Sequence, residues 1–187
     1  MIWTAIVPIK PFEEAKTRLS LGLSSDERSN LARDMFCHVT GVLGAHPLVG
    51  RLVIVSRSEI ADCPGEWFQD PGHGLNPALE AARAAFGAPC AIFHADLPLL
   101  VDSDVSALLE AGERSGSALA PDRHDRGTNA IALGQDAPFR LRFGEDSFSR
   151  HLEQSCFSGA VVRTNGLGQD CDTMEDFVSY TRVLATQ

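Results

Sequence analysis

The sequence has no long apolar run and no excess of basic residues. Its 187 residues include 16 Lys and Arg against 25 Asp and Glu, a net charge of -9. No segment approaches the length of a transmembrane helix, and so acidic a chain is poorly suited to bind nucleic acid or an anionic membrane. Free nucleotides remain compatible with this charge, because they need only local Lys and Arg, and carboxylates can hold a metal that offsets phosphate charge.

Cysteine is sparse and follows no paired pattern. The five cysteines are Cys37, Cys63, Cys90, Cys156 and Cys171. An odd number without a C-x-x-C pair indicates neither a disulfide framework nor a zinc cluster, and a cytoplasmic location fits best. The apolar stretch at 2–7 lacks a basic leader, so we expect a first strand there and no signal peptide.

Segments with strand and helix periods alternate along the chain, which is 44% hydrophobic. This length and composition suit one domain over residues 1–187. We predict strands at 2–7, 52–55, 67–68, 91–96, 118–120, 130–133 and 160–163. We predict helices at 24–43, 78–86, 102–115, 147–156 and 173–183. Ser24 with Glu27 and Thr173 with Asp176 are predicted capping pairs, and Asp102 is a predicted N-cap. The alternation indicates an α/β fold, a three-layer sandwich around a mainly parallel sheet.

Three cations follow the first predicted strand. Lys10, Lys16 and Arg18 lie in a loop that should stand at the carboxyl edge of the sheet, where phosphates usually bind. The loop has neither a P-loop nor a G-x-G-x-x-G pattern, so charge would have to replace the backbone amides of those motifs. Three solvated surface cations are the alternative.

Carboxylates occur at two more places where a ligand could bind. Asp96 ends a buried apolar run and is followed by Pro98, so it should lie at the carboxyl end of a central strand. Asp170 and Asp172 flank Cys171, and an extended backbone would send both carboxylates to one face. Two like charges on one face suggest a divalent metal, although D-x-D pairs are also common in loops.

Two helix starts offer polar groups to a ligand. Asn76 precedes Pro77 as a predicted N-cap, and with Gly74 it should stand at a helix N-terminus. Gly144 and Ser147 lie near the start of a second helix, in an arrangement suited to an anionic group. Plain helix capping is the alternative explanation for both starts. Between them, residues 121–129 form the most polar stretch of the chain, typical of a binding loop or hairpin connection.

Together these segments resemble the 2-phospho-L-lactate and phosphoenolpyruvate guanylyltransferases of coenzyme F-420 biosynthesis, relatives of the molybdopterin guanylyltransferases. The resemblance spans nearly the whole chain. Its motifs are Lys16-Thr17-Arg18-Leu19, Gly74-Leu75-Asn76, His94-Ala95-Asp96-Leu97-Pro98, Pro121-Asp122 with Gly127-Thr128-Asn129, Phe143-Gly144 with Ser147-Phe148 and His151, and Asp170-Cys171-Asp172-Thr173. Cys171 and Met174 depart from the family pattern, which often has an aliphatic residue and a proline there.

The resemblance implies a nucleotide-diphospho-sugar-transferase-like fold and a set of roles. Asp96, Asp170 and Asp172 would bind one or two Mg²⁺ ions. Thr128, Gly144 and Ser147 would hold a phosphorylated three-carbon acid. Lys10, Lys16 and Arg18 would hold the GTP triphosphate, with Gly74 and Asn76 near the nucleoside. Lys16, Arg18 and Asp96 would be the catalytic residues.

The implied reaction is attack by a phosphate oxygen of the acid on the α-phosphorus of GTP, with release of pyrophosphate. The acceptor is already anionic, so no general base is required, and His94 and His151 are left out of the chemistry. The acceptor stays open among 2-phospholactate, phosphoenolpyruvate and 3-phosphoglycerate. There are two alternatives: another nucleotidyltransferase, of molybdopterin or cytidylyl type, or a non-catalytic nucleotide-binding protein. The sequence also leaves open whether the protein forms a homo-oligomer.

Overall fold

The computed structural model describes residues 1–135, 138–154 and 156–184. Its centre is a seven-stranded sheet with the order β3-β2-β1-β4-β6-β5-β7. The strands are β1 (Trp3–Pro8), β2 (Val49–Ser56), β3 (Glu66–Gln69), β4 (Cys90–Phe93), β5 (Ser117–Pro121), β6 (Thr128–Leu133) and β7 (Ala160–Val161). The helices are α1 (Ser25–Ala45), α2 (Leu75–Phe86), α3 (Asp102–Ser115), α4 (Ser147–Leu152), α5 (Asn165–Gly168) and α6 (Met174–Leu184).

The direction of each strand decides which residues share an edge of the sheet. β1 pairs in parallel with β2 and β4, so the loops that follow β1 and β4 leave the sheet at the same edge. β6 pairs antiparallel with both β4 and β5, and its amino end therefore reaches that edge. The hairpin from β5 to β6 thus places Thr128, the first residue of β6, beside the residues that follow β4.

Two apolar layers cover the sheet. Side chains alternate along β1: Trp3, Ala5 and Val7 pack on the face that carries α1 and α3. Ile6 points to the opposite face, where α2 packs together with Phe139, Phe143 and Phe148. The result is the predicted three-layer α/β sandwich with a mainly parallel sheet.

Most predicted elements are confirmed, with three corrections at their ends. The strand predicted to reach Asp96 ends at Phe93, because the chain leaves the sheet before Pro98 and Asp96 lies in the following loop. Helix α2 begins at Leu75 with Gly74 as its N-cap, so the prediction that Asn76 caps it is wrong. Helix α3 is capped at Val101, whose N–H donates to the Asp104 carboxylate, and the predicted cap at Asp102 is wrong.

The ends of two other elements differ from the prediction by a few residues. The helix expected to reach Cys156 ends at Leu152, and the strand expected to reach Arg163 ends at Val161. The capping box of Ser24 with Glu27 is confirmed, as is the pairing of Thr173 with Asp176 at the start of α6. Across the described ranges, every helix falls short of the length and apolar character needed to cross a membrane.

Candidate active site

Lys16 joins carboxylates from two distant segments at the edge of the sheet. Its ammonium donates a hydrogen bond to Asp96 Oδ2 and another, of 3.0 Å, to Asp172 Oδ1. These partners lie 80 and 156 positions away in the sequence. The Lys16 backbone adopts φ 53°, and its side chain is only 7% exposed. The loop after β1 therefore turns this side chain inward, onto the loop after β4.

Burial and mutual charge set the protonation of this cluster. Burial favours a neutral Lys16, but the charges of Asp96 and Asp172 outweigh it and raise the lysine pKa above its usual range. Burial likewise opposes ionisation of Asp96, yet the Lys16 ammonium holds the pKa of that carboxyl below its ordinary value. Lys16 is therefore charged and Asp96 ionised at neutral pH.

Asp170 completes the acidic group. Its partial burial raises its pKa to about 7, and repulsion from Asp96 and Asp172 adds to the shift. The three carboxylates predicted to bind metal thus act on one another electrostatically. No three His, Cys, Asp or Glu side chains within the described residues stand close enough to share one ion as they lie. The donor set is nevertheless of the right chemistry for Mg²⁺, which prefers carboxylate oxygens, and a cation would relieve the repulsion on Asp170.

The other two predicted phosphate ligands are more exposed. The Arg18 guanidinium, 76% exposed, stands 3.8 Å from Asp172 Oδ2. Lys10 lies two residues beyond the end of β1 and is also exposed. Both residues belong to the same loop as Lys16, so one segment carries all three cations to the edge of the sheet.

A second ion pair fixes the loop that carries Asp170 and Asp172. Asp176 Oδ2 accepts hydrogen bonds from the backbone N–H groups of Asp172 and Thr173 at 3.1 and 2.6 Å. Its other oxygen, Oδ1, lies 2.6 Å from the Arg123 guanidinium, on the β5–β6 hairpin. The main-chain N–H of Arg123 also donates a hydrogen bond to the Gly168 carbonyl at 2.9 Å. The hairpin therefore holds the acidic loop in place.

The residues predicted near the nucleoside have different surroundings. Gly74 is exposed at the N-terminus of α2, with φ +97°. The Asn76 side chain bonds the main chain of Phe143 twice: its Oδ1 accepts from the N–H at 2.7 Å, and its Nδ2 donates to the carbonyl at 3.0 Å. Asn76 thus ties α2 to the segment that leads into Gly144.

The predicted acceptor residues Thr128, Gly144 and Ser147 are linked through His151 and the main chain, where the Ser147 N–H donates to the Gly144 carbonyl at 3.1 Å. The Thr128 hydroxyl is 2.9 Å from His151 Nδ1, and His151 lies one turn after Ser147 on α4. The N–H of Arg142, two residues before Gly144, donates to His151 Nε2 at 2.9 Å. Gly144 itself is exposed, with φ +123°, while Thr128 and Ser147 are buried.

His94 lies between the two groups of residues. Its ring packs against Phe143 with a centroid distance of 5.1 Å, and Phe143 in turn packs on His151 at 5.3 Å. Burial lowers the pKa of His94, with the charge of Lys16 acting in the same direction. The imidazole Nε2 is buried without a hydrogen-bond partner among the described residues.

Sequence reasoning missed the supporting residues. Arg123 was visible only as one charge in a polar loop, and Asp176 only as a helix cap. Asn76 was expected to face a ligand, and His151 carried no assigned contact. Hydrogen bonds to main-chain atoms far along the chain leave no spacing in the sequence, so no local pattern could have identified these contacts.

The sequence matches the family model described as guanylyl transferase CofC like, over residues 3–177. The phosphoenolpyruvate guanylyltransferase of Sphaerobacter thermophilus is 36% identical, with 94% of this chain and 91% of that protein covered. The 2-phospho-L-lactate guanylyltransferase of Methanothermobacter thermautotrophicus is 35% identical, with 92% and 81% covered.

Solved structures with low sequence identity share the fold. A protein of Desulfovibrio desulfuricans described as a nucleotide-diphospho-sugar transferase superposes with a TM-score of 0.77 at 19% identity, covering 98% of this chain and 88% of that one. The 2-C-methyl-D-erythritol 4-phosphate cytidylyltransferase of Thermus thermophilus gives 0.62 at 12% identity, with 99% and 100% covered. The predicted nucleotide-diphospho-sugar-transferase-like fold is confirmed.

Proposed function

The chain belongs to the CofC-like guanylyltransferase family, and from this membership we propose that it transfers GMP from GTP to a small phosphorylated three-carbon acid. Pyrophosphate is released, and the product is the guanosine-diphosphate-linked acid used to make coenzyme F-420. The observation that carries this proposal for the chain itself is the meeting of Lys16, Asp96 and Asp172 at the edge of the sheet where β6 begins with Thr128.

The difficulty of this reaction is electrostatic. The acceptor phosphate is already an anionic nucleophile, so neither a covalent intermediate nor a general base is needed. Two anions must approach each other, and negative charge grows on the oxygen of the departing pyrophosphate. Fixed positive charge lowers both barriers. Lys16, Arg18 and Lys10 would supply this charge to the triphosphate from the loop after β1.

We propose that Asp96, Asp170 and Asp172 hold Mg²⁺. The metal would screen the phosphates and align the attacking and leaving oxygens. Burial and then the charges of Asp96 and Asp172 raise the pKa of Asp170, and a bound cation would offset that repulsion. Asp96 and Asp172 both accept hydrogen bonds from Lys16, so this lysine keeps the two carboxylates together.

The acceptor would bind at Thr128, Gly144 and Ser147. Hydroxyl groups and a backbone amide bind a phosphate or carboxylate without bringing further charge into the site. Gly74, at the exposed N-terminus of α2, would face the nucleoside together with Asn76. Asn76 would contribute there through its backbone, since its side chain is bonded to Phe143.

The acceptor is one of three acids that differ by small groups. The relatives bear the names phosphoenolpyruvate guanylyltransferase and 2-phospho-L-lactate guanylyltransferase. The test incubates the protein with GTP, Mg²⁺ and either phosphoenolpyruvate, 2-phospholactate or 3-phosphoglycerate, and identifies products by mass spectrometry. We expect a guanosine-diphosphate-linked acid from at least one of them. Its absence in all three mixtures would contradict the proposal.

The same assay separates the rival functions. CTP in place of GTP tests for a cytidylyltransferase, which the fold likeness makes the main rival, and ATP tests for transfer of AMP. Nucleotide binding in the presence of Mg²⁺ without pyrophosphate release would indicate a binding protein. The variant Asp96→Asn should lose turnover and keep its fold. Asp62→Asn is the matched control, because Asp62 is exposed and has φ 57°, a conformation that Asn tolerates.

Two broader proposals accompany this function. The chain acts as one nucleotidyltransferase domain over residues 1–187, which the continuous sheet supports. It works in the cytoplasm, which its five free cysteines support.

A further inference from the structure

His151 connects all three parts of the predicted acceptor site. It is fully buried on α4, four residues after Ser147, so both side chains lie on the same face of that helix. Its Nδ1 lies 2.9 Å from the Thr128 hydroxyl, at the start of β6. Its Nε2 accepts the Arg142 N–H at 2.9 Å, two residues before Gly144. One side chain thus links β6, α4 and the segment between them.

The backbone fixes which ring nitrogen carries the proton. A main-chain N–H can only donate, so Nε2 must be the unprotonated nitrogen of a neutral imidazole. The proton then resides on Nδ1, which donates to Thr128 Oγ1. Burial first, and then the charge of Arg142, lower the pKa of His151 to about 4, so the ring stays neutral at neutral pH.

Neighbouring rings hold the imidazole in this orientation. Phe139 and Phe143 both pack on it, each with a centroid distance of 5.3 Å. A flip of the ring about its Cβ–Cγ bond would place carbon atoms where the two nitrogens now lie and would break both hydrogen bonds. The ring is therefore held in one orientation by packing as well as by hydrogen bonds.

We propose that His151 is a positioning residue for the phosphorylated acceptor, because it turns the Thr128 hydroxyl into a donor toward an anionic oxygen of that acid. A hydroxyl that accepts from Nδ1–H cannot point its own proton at the imidazole, so this proton is free for another acceptor, which under this proposal is the phosphorylated acid. The chain of donors runs from the Arg142 N–H through His151 to Thr128. This inference rests on the proposed function.

Two variants separate this role from simple stability. His151→Phe preserves an aromatic ring and removes both hydrogen bonds. His151→Asn also loses the bond to the Arg142 N–H, but its amide nitrogen can replace Nδ1 as the donor to Thr128. Both variants leave the Arg142 N–H unpaired, so both should unfold at a lower temperature. Only His151→Phe should lose the orientation of Thr128.

We expect His151→Phe to raise the KM for the acceptor about tenfold, the effect of weakening one hydrogen bond to a charged group. The KM for GTP should change by less than about twofold, and His151→Asn should restore most of the acceptor KM. In a Thr128→Val background, His151→Phe should have no further effect on the acceptor KM. Equal acceptor KM values in the Asn and Phe variants, or an undiminished effect in that background, would overturn the inference.

His46 provides a matched control on the opposite face of the sheet. His46 is also buried. Its Nδ1 accepts a hydrogen bond from the Leu48 main-chain N–H at 3.2 Å, and its Nε2 lies 3.0 Å from the Ser106 hydroxyl. His46→Phe should lower the unfolding temperature without changing the acceptor KM. A raised acceptor KM in this control would show that general destabilisation explains the effect.

Nitrogen-15 NMR of the imidazoles tests the hydrogen-bond direction without any turnover. We expect the His151 ring to be protonated on Nδ1 and unprotonated on Nε2 throughout the range from about pH 6 to 8. The opposite tautomer would overturn the inference. If the wild-type protein forms no product with any of the three acids, the proposed function fails, whereas the tautomer still decides whether Thr128 is held as a donor.

Discussion

The charged side of the site and its neutral side are held together in different ways. On the charged side, Lys16 draws Asp96 and Asp172 together, and each of these residues lies in a loop. On the neutral side, Thr128 and His151 are buried on a strand and a helix and are joined by a hydrogen bond. Charge can be presented on loops because its attraction acts over several ångströms, whereas an oriented hydroxyl requires packed elements.

The largest effect should come from Lys16→Met. Without the ammonium, Asp96 and Asp172 repel each other and positive charge at the triphosphate is lost. We expect kcat/KM to fall by about 100- to 1,000-fold, the usual effect of losing one charge-stabilising group. Steady-state pyrophosphate release measures this. Arg114→Met, which removes an exposed cation of α3 far from the proposed site in the sequence, is the control, and an equal loss there would mean that Lys16 has no special position.

The next prediction concerns stability against pH on the neutral side. His151 binds a proton in the unfolded chain below about pH 6.5 but in the folded protein only below about pH 4. The unfolded state therefore binds more protons between these values, and the free energy of unfolding should fall as the pH drops from 6.5 to 4. Since one pKa unit is worth about 1.4 kcal/mol, the loss reaches about 3 kcal/mol.

Urea denaturation of the wild type and His151→Phe at several pH values measures this contribution. The difference in unfolding free energy between the two proteins should shrink as the pH falls and become constant below about pH 4. A difference that does not change between pH 7 and 4 would mean that His151 titrates alike in the folded and unfolded states.

A smaller effect should follow from loosening the support of the charged side. Arg123→Met removes the partner of Asp176, which orders the backbone of Asp172 and Thr173. We expect kcat/KM to fall about tenfold and stability by about 1 to 3 kcal/mol, as for a hydrogen-bonded ion pair that loses one partner. Arg163→Met breaks the exposed pair with Asp125 and serves as the control. Similar losses in both variants would contradict the special role of Arg123.

The smallest effect should come from Gly144→Ala. No atom of the described residues lies within 4 Å of the added methyl group, so the cost is backbone strain at φ +123°, about 1 kcal/mol. We expect the acceptor KM to rise a few-fold as this backbone shifts. Gly72→Ala, at φ +82° with equally open space, should cost similar stability and leave the acceptor KM unchanged. If the acceptor KM in Gly144→Ala also stays unchanged, the acceptor does not use this amide.

Sequence reasoning was accurate where a local pattern carries the information. Buried runs identified β1, β4 and β6, and the capping box of Ser24 with Glu27 identified the start of α1. Its errors lie where tertiary contacts override local preference. Asn76 looked like a helix cap, yet its side chain gains two hydrogen bonds to Phe143, 67 positions away. Asp96 looked like the end of a strand, yet β4 ends three residues earlier.

The order of residue types by itself determined the α/β layers and the segments that carry reactive groups, because apolar period and capping chemistry act over a few neighbouring residues. Only the tertiary structure decided that Lys16 lies between Asp96 and Asp172, and that His151 presents a proton to Thr128. Those contacts depend on strand order and on the antiparallel direction of β6, which bring together side chains that no spacing along the chain relates.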